Sequence, residues 1–386
     1  MTQILKETSD SMLKKIAARL HAGDLVAFPT ETVYGLGAHA GLQHSVSRIF
    51  EVKGRPAQDP LIVHCAHMTQ TKKYLSPGLT DWQHAAHEAL GRAFWPGPLT
   101  LIMPCDQKLI VPAVSAGTGW VGLRCPAHPV AQRLLELCDC PVAAPSANLF
   151  GHVSPTTAEH VFDDFPSVDN LWIVDGGACG VGIESTVVRL NALDSVEILR
   201  RGGVGRDQIV SCLRNAGLIS SEEQGRERVR VVERYVKSQT ETLELASPGQ
   251  LLVHYAPNLF TTLVTLQPEL PAHGAEVIQK EQLSRTVVID FNQQLQALAP
   301  LVGAYRDLSS AGDPNVLAHE LFAALRWAES FATDKSDWQA WLFNPNMLKE
   351  FLLDEVFLAV SDRIYRAASG RNINIKLKPN SDRVFF

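Results

Sequence analysis

"LVAFPTETVYGLGAHA", residues 25–40, decides how this chain is read. Leu25–Phe28 is a short apolar run with the length of a buried strand. It stops at Pro29. The residues beyond Pro29 are small, hydroxyl-rich and flexible: Thr30, Glu31 and Thr32, then Tyr34, with Gly35 and Gly37 close behind. A plain connection needs only a turn, so the stretch reads as a strand whose end opens into a loop shaped to hold something.

The flanks extend this pattern in both directions. "SDSMLKKIAARLHA" (9–22) has helical apolar spacing and Gly23 as its stop signal; "QHSVSRIFEV" (43–52) is a second helix, followed by the loop "KGRPAQDP". "LIVHC" (61–65), 99–103, "WVGLRCP" (120–126), "PVAAPSAN" (141–148), "LWIVDGG" (171–177), "STVVRL" (185–190) and "VEILRRGG" (196–203) read as strands. Helices fall near 80–93 and at 128–138. Strands and helices mix without a βαβ repeat, which predicts an α/β fold with some antiparallel pairing. From about 215 to 257 the sequence turns polar and charge-mixed and ends in "SPGQLLVHYAPN", the texture of a linker. Beyond it, a strand at 286–291 and helices at 313–330 and 358–369 predict a smaller α/β domain. Asp313 is the expected N-cap of the first of these helices, with Pro314 at its first position.

Bulk composition narrows the function classes. The chain has 386 residues, more than one core usually serves. Its net charge of -6 gives no global nucleic-acid signature, though a local basic cleft is compatible with it. The seven cysteines form no Cys-x-x-Cys pair and are odd in number, so buried thiols in a reducing compartment are expected. Cys138 and Cys140 suggest a metal pair, but no second cysteine pair completes it. No apolar run is long enough to span a bilayer and no signal-peptide core opens the chain, so a cytoplasmic protein without membrane contact is expected.

There is no phosphate loop, dinucleotide fingerprint, nucleophile elbow or zinc helix. Instead, small, hydroxyl and cationic residues gather in four loops. Lys53 and Arg55 flank a glycine, with Asp59 beyond; alternate positions of an extended loop let both cations face one anion. Alone, such a pair reads more readily as a solvated loop, a reading that weakens here because Gly54 and Pro56 stiffen the loop. Ser146 and Asn148 follow an apolar run, with Ser154 further on, and suit either a phosphate or a helix cap. Four glycines precede Glu184, Ser185 and Thr186, as a ligand approach or a long hairpin requires. Arg200 and Arg201 end a strand. Arg124 and His64 lie inside apolar strands, where the cation must meet an anion and the histidine reads equally as core.

Taken in order, "FPTETVYGLG", "IFEVKGRPAQDPLIVH", "FWPGPLTLIM", "VGLRCPAHP", "PVAAPSANLFG", "ESTVV" and "ILRRGG" resemble the YrdC-like L-threonylcarbamoyladenylate synthases over residues 10–212. "SPGQLLVHYAP" and the domain after it resemble the long, two-domain subtype. The resemblance implies a YrdC-like twisted mixed sheet with helices around a concave basic cleft over 1–212. It also implies a linker or lid over 213–257 and a Rossmann-like α/β domain over 258–386. The implied reaction makes threonylcarbamoyl-AMP and pyrophosphate from L-threonine, bicarbonate and ATP with Mg²⁺, for proteins that modify tRNA adenosine. Direct tRNA binding is left open by it. The implied threonine pocket is Thr32, His64, Arg124, Ala144 and Ser185, with Arg124 on the carboxylate and Ala144 offering its main chain. The implied ATP and magnesium side is Lys53, Arg55, Asp59, Ser146, Asn148, Ser154 and Arg200, under Tyr255 as a lid; Lys53 and Arg55 stabilise the transition state. Two rival readings are a related carbamoyltransferase that uses carbamoyl-adenylate and an RNA-binding module on the same fold.

Overall fold

The computed structural model describes residues 1–221, 223, 227–232, 255–267, 277–332, 337–377 and 384–385. It divides into two compact units, Met1–Phe150 with Ser154–Leu251, and Gly151–Val153 with Leu252–Phe386.

The first unit is built on a mixed sheet of eleven strands among the described residues. In chain order they are β1 (Gln3–Leu5), β2 (Leu25–Phe28), β3 (Gly35–His39), β4 (Ile62–His64), β5 (Leu99–Pro104), β6 (Trp120–Arg124), β7 (Val142–Ala143), β8 (Leu171–Val174), β9 (Thr186–Asn191), β10 (Ser195–Arg200) and β11 (Val229–Val231). Their spatial order is β1-β8-β2-β3-β7-β4-β6-β5-β9-β10-β11. Pairing is parallel for β1/β8, β2/β8, β4/β6, β5/β9 and β10/β11, and antiparallel elsewhere.

All four residues of β2 are buried, because the sheet is covered on both faces. Leu25 and Ala27 enter one hydrophobic cluster. Val26 and Phe28 enter another, with Leu13, Ile16 and Leu20 of the helix Asp10–His21 and Leu134 and Leu135 of the helix Pro129–Cys138. Period-two alternation thus sorts one strand's side chains between two cores.

The expected flexible loop is shorter than its sequence suggests. Its glycine-rich half is β3, paired to β2 with Phe28 opposite Gly35 and Val26 opposite Gly37. A Cβ on Gly37 would lie 2.8 Å from the Phe28 ring and 3.0 Å from the Val26 carbonyl, so glycine here serves close packing rather than mobility. The expected linker also starts later than residue 213. The helix Arg206–Asn215 runs past that point, and Val229–Val231 adds a parallel edge strand to β10. Val229 is buried and Arg230 exposed, the alternation of a half-buried strand. Residues 233–254, including most of "SPGQLLVHYAPN", lie outside the described residues.

The second unit holds a seven-stranded sheet among the described residues. Five strands, Phe260–Leu266, Thr286–Asp290, Ala304–Asp307, Gln339–Phe343 and Asn372–Leu377, are mutually parallel. Val277–Ile278 and Val384–Phe385 extend one edge antiparallel. The expected Rossmann-like layering holds in its parallel α/β character, but the strand order differs. Across the sheet the parallel strands run last, first, fourth, second, third in chain order, whereas the dinucleotide fold starts from its first strand in the middle and winds outward both ways. The helix Pro314–Glu329 opens as its sequence predicts: Asp313 caps it by accepting the Asn315 N–H at 2.8 Å. Among the described residues no helix is long and apolar enough to cross a membrane.

Candidate active site

The turn after β2 is organised by one hydroxyl. Thr30 Oγ1 accepts the Thr32 and Val33 N–H groups, both at 3.2 Å, and donates to the Val33 carbonyl at 2.6 Å. Its proton is therefore committed, so Thr32 Oγ1, 2.8 Å away, is the donor between the two hydroxyls. That leaves Thr32 Oγ1 to accept from Arg124 Nη2 at 2.8 Å. The hydroxyls form a directed chain from guanidinium to main chain, which holds Thr32 in a single orientation.

Arg124 ends β6 and is buried. Its Nη2 also donates to Glu31 Oε1 at 2.7 Å, and its Nε to the Gly97 carbonyl at 3.4 Å. The second oxygen of Glu31 accepts the Ala127 N–H at 2.9 Å. A protein carboxylate thus accounts for the burial of this cation, where the family resemblance had implied the substrate's. Nη1 makes no hydrogen bond among the described residues, and it is the donor that Arg124 can offer a second carboxylate. Glu31 sits in the middle of the opening stretch, yet sequence reading gave it no role. The acid between two threonines was the only signal, and its partner lies 93 residues away.

His64 ends β4 and stands opposite Arg124 in the parallel β4/β6 pair. Burial, helped by the Arg124 charge, holds its imidazole down at about 3, so it is neutral at ordinary pH. Ala144, just past β7, gives its N–H to the Ile62 carbonyl at 2.9 Å, so its carbonyl is what it has for a ligand. Ser185 Oγ lies 2.8 Å from Thr100 Oγ1 on β5 and accepts from Arg200 Nη2 at 3.2 Å. Thr100 is a second member that sequence reading did not single out. Thr32, Arg124, His64, Ala144 and Ser185 are thus brought together by β2, β4, β5, β6, β7 and β9.

The cationic group lies beside them. Lys53 is the last residue of the helix Gln43–Lys53, and the left-handed Gly54 turns the chain out of the helix before Arg55. Lys53 Nζ donates to the Ser146 carbonyl at 2.7 Å and to that of Asn148, latching the 146–148 turn. Its ammonium is pulled well below the usual lysine range by burial first and the neighbouring Arg55 charge second. Arg55 Nη2 pairs with Asp59 Oδ2 at 2.9 Å, both side chains being buried. Burial raises the Asp59 carboxyl, while Arg55, Lys53 and Arg200 pull it back down, which places Arg200 in the same electrostatic group. Asp59 Oδ1 is buried with no hydrogen-bond partner among the described residues. Asn148 is buried, with its amide on the Leu149 carbonyl at 2.7 Å, and Ser146 is half-buried. Ser154 Oγ donates to Glu184 Oε1 at 2.5 Å, which ties it to the glycine-rich segment before β9.

Tyr255 belongs to the second unit. There it is fully buried, stacked on Phe322 with ring centroids 5.4 Å apart and with the Arg363 guanidinium 5.7 Å from its ring centre.

The arrangement offers one carboxylate-binding donor beside the buried hydroxyls of Thr32, Thr100 and Ser185. Adjoining it is a set of three cations around one carboxylate, the complement of a polyanion. Residues 18–202 match the family model described as "Telomere recombination", which covers the Sua5, YciO and YrdC proteins. Residues 205–369 match "Threonylcarbamoyl-AMP synthase, C-terminal domain". A Bacillus subtilis protein named threonylcarbamoyl-AMP synthase is 36% identical over 368 residues, 95% of each chain. One of the same name from Pyrococcus abyssi is 44% identical over 206 residues, 53% of this chain and 58% of that one. The solved structure of P. abyssi Sua5 complexed with L-threonine superposes with a TM-score of 0.75 at 28% identity, covering 97% of this chain and 99% of that one.

Proposed function

The chain belongs to the two-domain threonylcarbamoyl-AMP synthase family, and on that premise we infer that it makes threonylcarbamoyl-AMP and pyrophosphate from L-threonine, bicarbonate and ATP. The observation that carries this reading for the chain's own residues is Arg124. It is fixed by Glu31 and Thr32 and has Nη1 to spare, next to the cationic group of Lys53, Arg55 and Arg200.

The threonine carboxylate takes Nη1 of Arg124, and its amine and hydroxyl lie among Thr32, Ser185 and the Ala144 carbonyl. Neutral His64 closes the pocket without adding charge. The neutral amine adds to CO₂ with loss of a proton, or to bicarbonate with loss of water; either way the new C–N bond gives a carbamate. A carbamate oxygen then attacks the α-phosphorus, and the bond to the β-phosphate oxygen breaks as pyrophosphate leaves in line. Lys53, Arg55 and Arg200 neutralise charge that builds on the phosphoryl oxygens, so positioning and electrostatics carry the rate. No covalent enzyme intermediate is required.

The residues fit a magnesium ion held mainly by the triphosphate: Asp59 Oδ1 is a hard oxygen acceptor without a partner among the described residues, well placed in kind for a water of such an ion. Bound there, magnesium supplies charge neutralisation on the leaving group. Ser146, Asn148 and Ser154 belong to the nucleotide side. The product passes to proteins that modify tRNA, which places the chain in the compartment of tRNA maturation.

Incubation with carbon-13 bicarbonate, ATP, Mg²⁺ and L-threonine tests the reaction by mass spectrometry. The expected product is an AMP adduct that contains threonine and one labelled carbon. An adduct without the label, or AMP release without threonine, would overturn the reading.

A further inference from the structure

Cys138 and Cys140 lack a second cysteine pair in the sequence, but the fold supplies two histidines. We propose that His21, His39 and Cys140 bind a divalent transition-metal ion of the zinc class as a structural staple, independent of the nucleotide chemistry.

One donor atom from each of His21, His39 and Cys140 lies within 4.8 Å of the others. In a tetrahedral zinc site with Zn–N of about 2.0 Å and Zn–S of about 2.3 Å, neighbouring donors stand roughly 3.5 Å apart. The cluster therefore needs to close by at most about 1.3 Å.

Four elements end at this point. His21 is the last residue of the helix Asp10–His21, His39 the last of β3, and Cys138 the last of the helix Pro129–Cys138. Cys140 lies two residues before β7, after the left-handed turn at Asp139. Cys138 ends its helix two residues away and is not among the three converging donors, so a solvent molecule would complete the tetrahedron. One thiol and two imidazoles select zinc-class ions over magnesium or calcium, which take oxygen donors.

The surroundings already orient one ligand as metal sites do. His21 Nε2 donates to the Cys138 carbonyl at 2.5 Å, leaving Nδ1 with its lone pair for a metal. His39 takes the Gly41 N–H on Nδ1 at 3.0 Å, which fixes its ring. Ligation through Nε2 would move the His39 proton to Nδ1 and give up that contact. The loss is one part-buried hydrogen bond, small against the affinity of a thiolate–imidazole site. Binding releases the Cys140 proton and creates one S–metal bond. His21 is exposed, so an ion can enter from solvent.

The test uses the full chain, reduced, stripped with a chelator and titrated with Co²⁺. The expected result is one cobalt per chain, with tetrahedral ligand-field bands and a thiolate-to-cobalt charge-transfer band that Zn²⁺ then erases. Zinc should also raise the melting temperature of the stripped protein. Cys140→Ser should lose the charge-transfer band. His21→Ala changes an exposed helix end, so it keeps the fold, and should weaken cobalt binding about tenfold or more. Cys212→Ser, outside the cluster, should change nothing. Absence of the charge-transfer band at one equivalent, or its persistence in Cys140→Ser, would overturn the proposal and leave a histidine-bound thiol without a metal.

Discussion

Arg124→Met separates what this arginine does for the fold from what it does for the substrate. Methionine keeps most of the side-chain volume and removes the charge. Glu31 then retains only the Ala127 N–H, while its side chain is 13% exposed and that of Arg124 5%. Removing one partner of a buried ion pair costs about 3–5 kcal/mol. For a unit of this size that corresponds to a fall in melting temperature of roughly 6–20 °C. Glu31→Gln in the same chain removes the stranded charge and should recover most of that loss. Threonine use should not recover, because the donor to its carboxylate is still missing. One charge-assisted hydrogen bond contributes about 1.5–3 kcal/mol, so kcat/KM for L-threonine should fall roughly 10- to 150-fold in both variants. ATP binding, read by thermal shift with a non-hydrolysable analogue, should hold in the double variant. The reasoning fails if the double variant regains both its melting temperature and its threonine kcat/KM, since Arg124 would then be only Glu31's structural partner.

The remaining expectations rest on the same geometry. Lys53→Ala should lower kcat by more than it raises the threonine KM, and should cost stability by stranding the Ser146 and Asn148 carbonyls; unchanged turnover would remove Lys53 from the site. Asp59→Asn should raise the KM for Mg·ATP while leaving threonine binding unchanged, as titration calorimetry can resolve. Gly37→Ala puts a methyl group 2.8 Å from the Phe28 ring and should destabilise by about 1–3 kcal/mol in urea unfolding. His64 is held near 3 by burial and then by Arg124, below the roughly 6.5 of an exposed histidine. Its contribution to stability is whole above about pH 6.5 and is lost as pH falls toward 3, at up to about 1.4 kcal/mol per pH unit. His64→Gln should flatten the acid limb of a stability–pH curve by one proton; an unchanged slope would place the titration elsewhere.

Much of the fold was legible because its signals are local. Buried strands such as Leu25–Phe28 are continuous apolar runs, and Asp313 with Pro314 marks a helix start within two residues. The cationic loop was legible for the same reason, since Lys53, Arg55 and Asp59 fall within one turn and its exit. What escaped the sequence depends on distant partners. Gly35–His39 read as flexible because glycine is poor in strands, yet Phe28 on the next strand demands glycine at 37. Glu31 gained meaning only when β6 delivered Arg124 to it. Val229–Val231 looked like linker until β10 paired with it. The order of the parallel strands in the second unit has no local signature. The cluster of His21, His39 and Cys140 spans more than a hundred residues of chain and forms only where the ends of separate elements meet.

The measurement that bears most directly on the central claim is pyrophosphate release from ATP and Mg²⁺, with L-threonine and bicarbonate supplied together or singly and with L-valine in place of threonine. The account predicts release only when threonine and bicarbonate are both present, and little with valine, which has a methyl where threonine has its hydroxyl. Release that ignores either substrate, or that runs equally with valine, would contradict it.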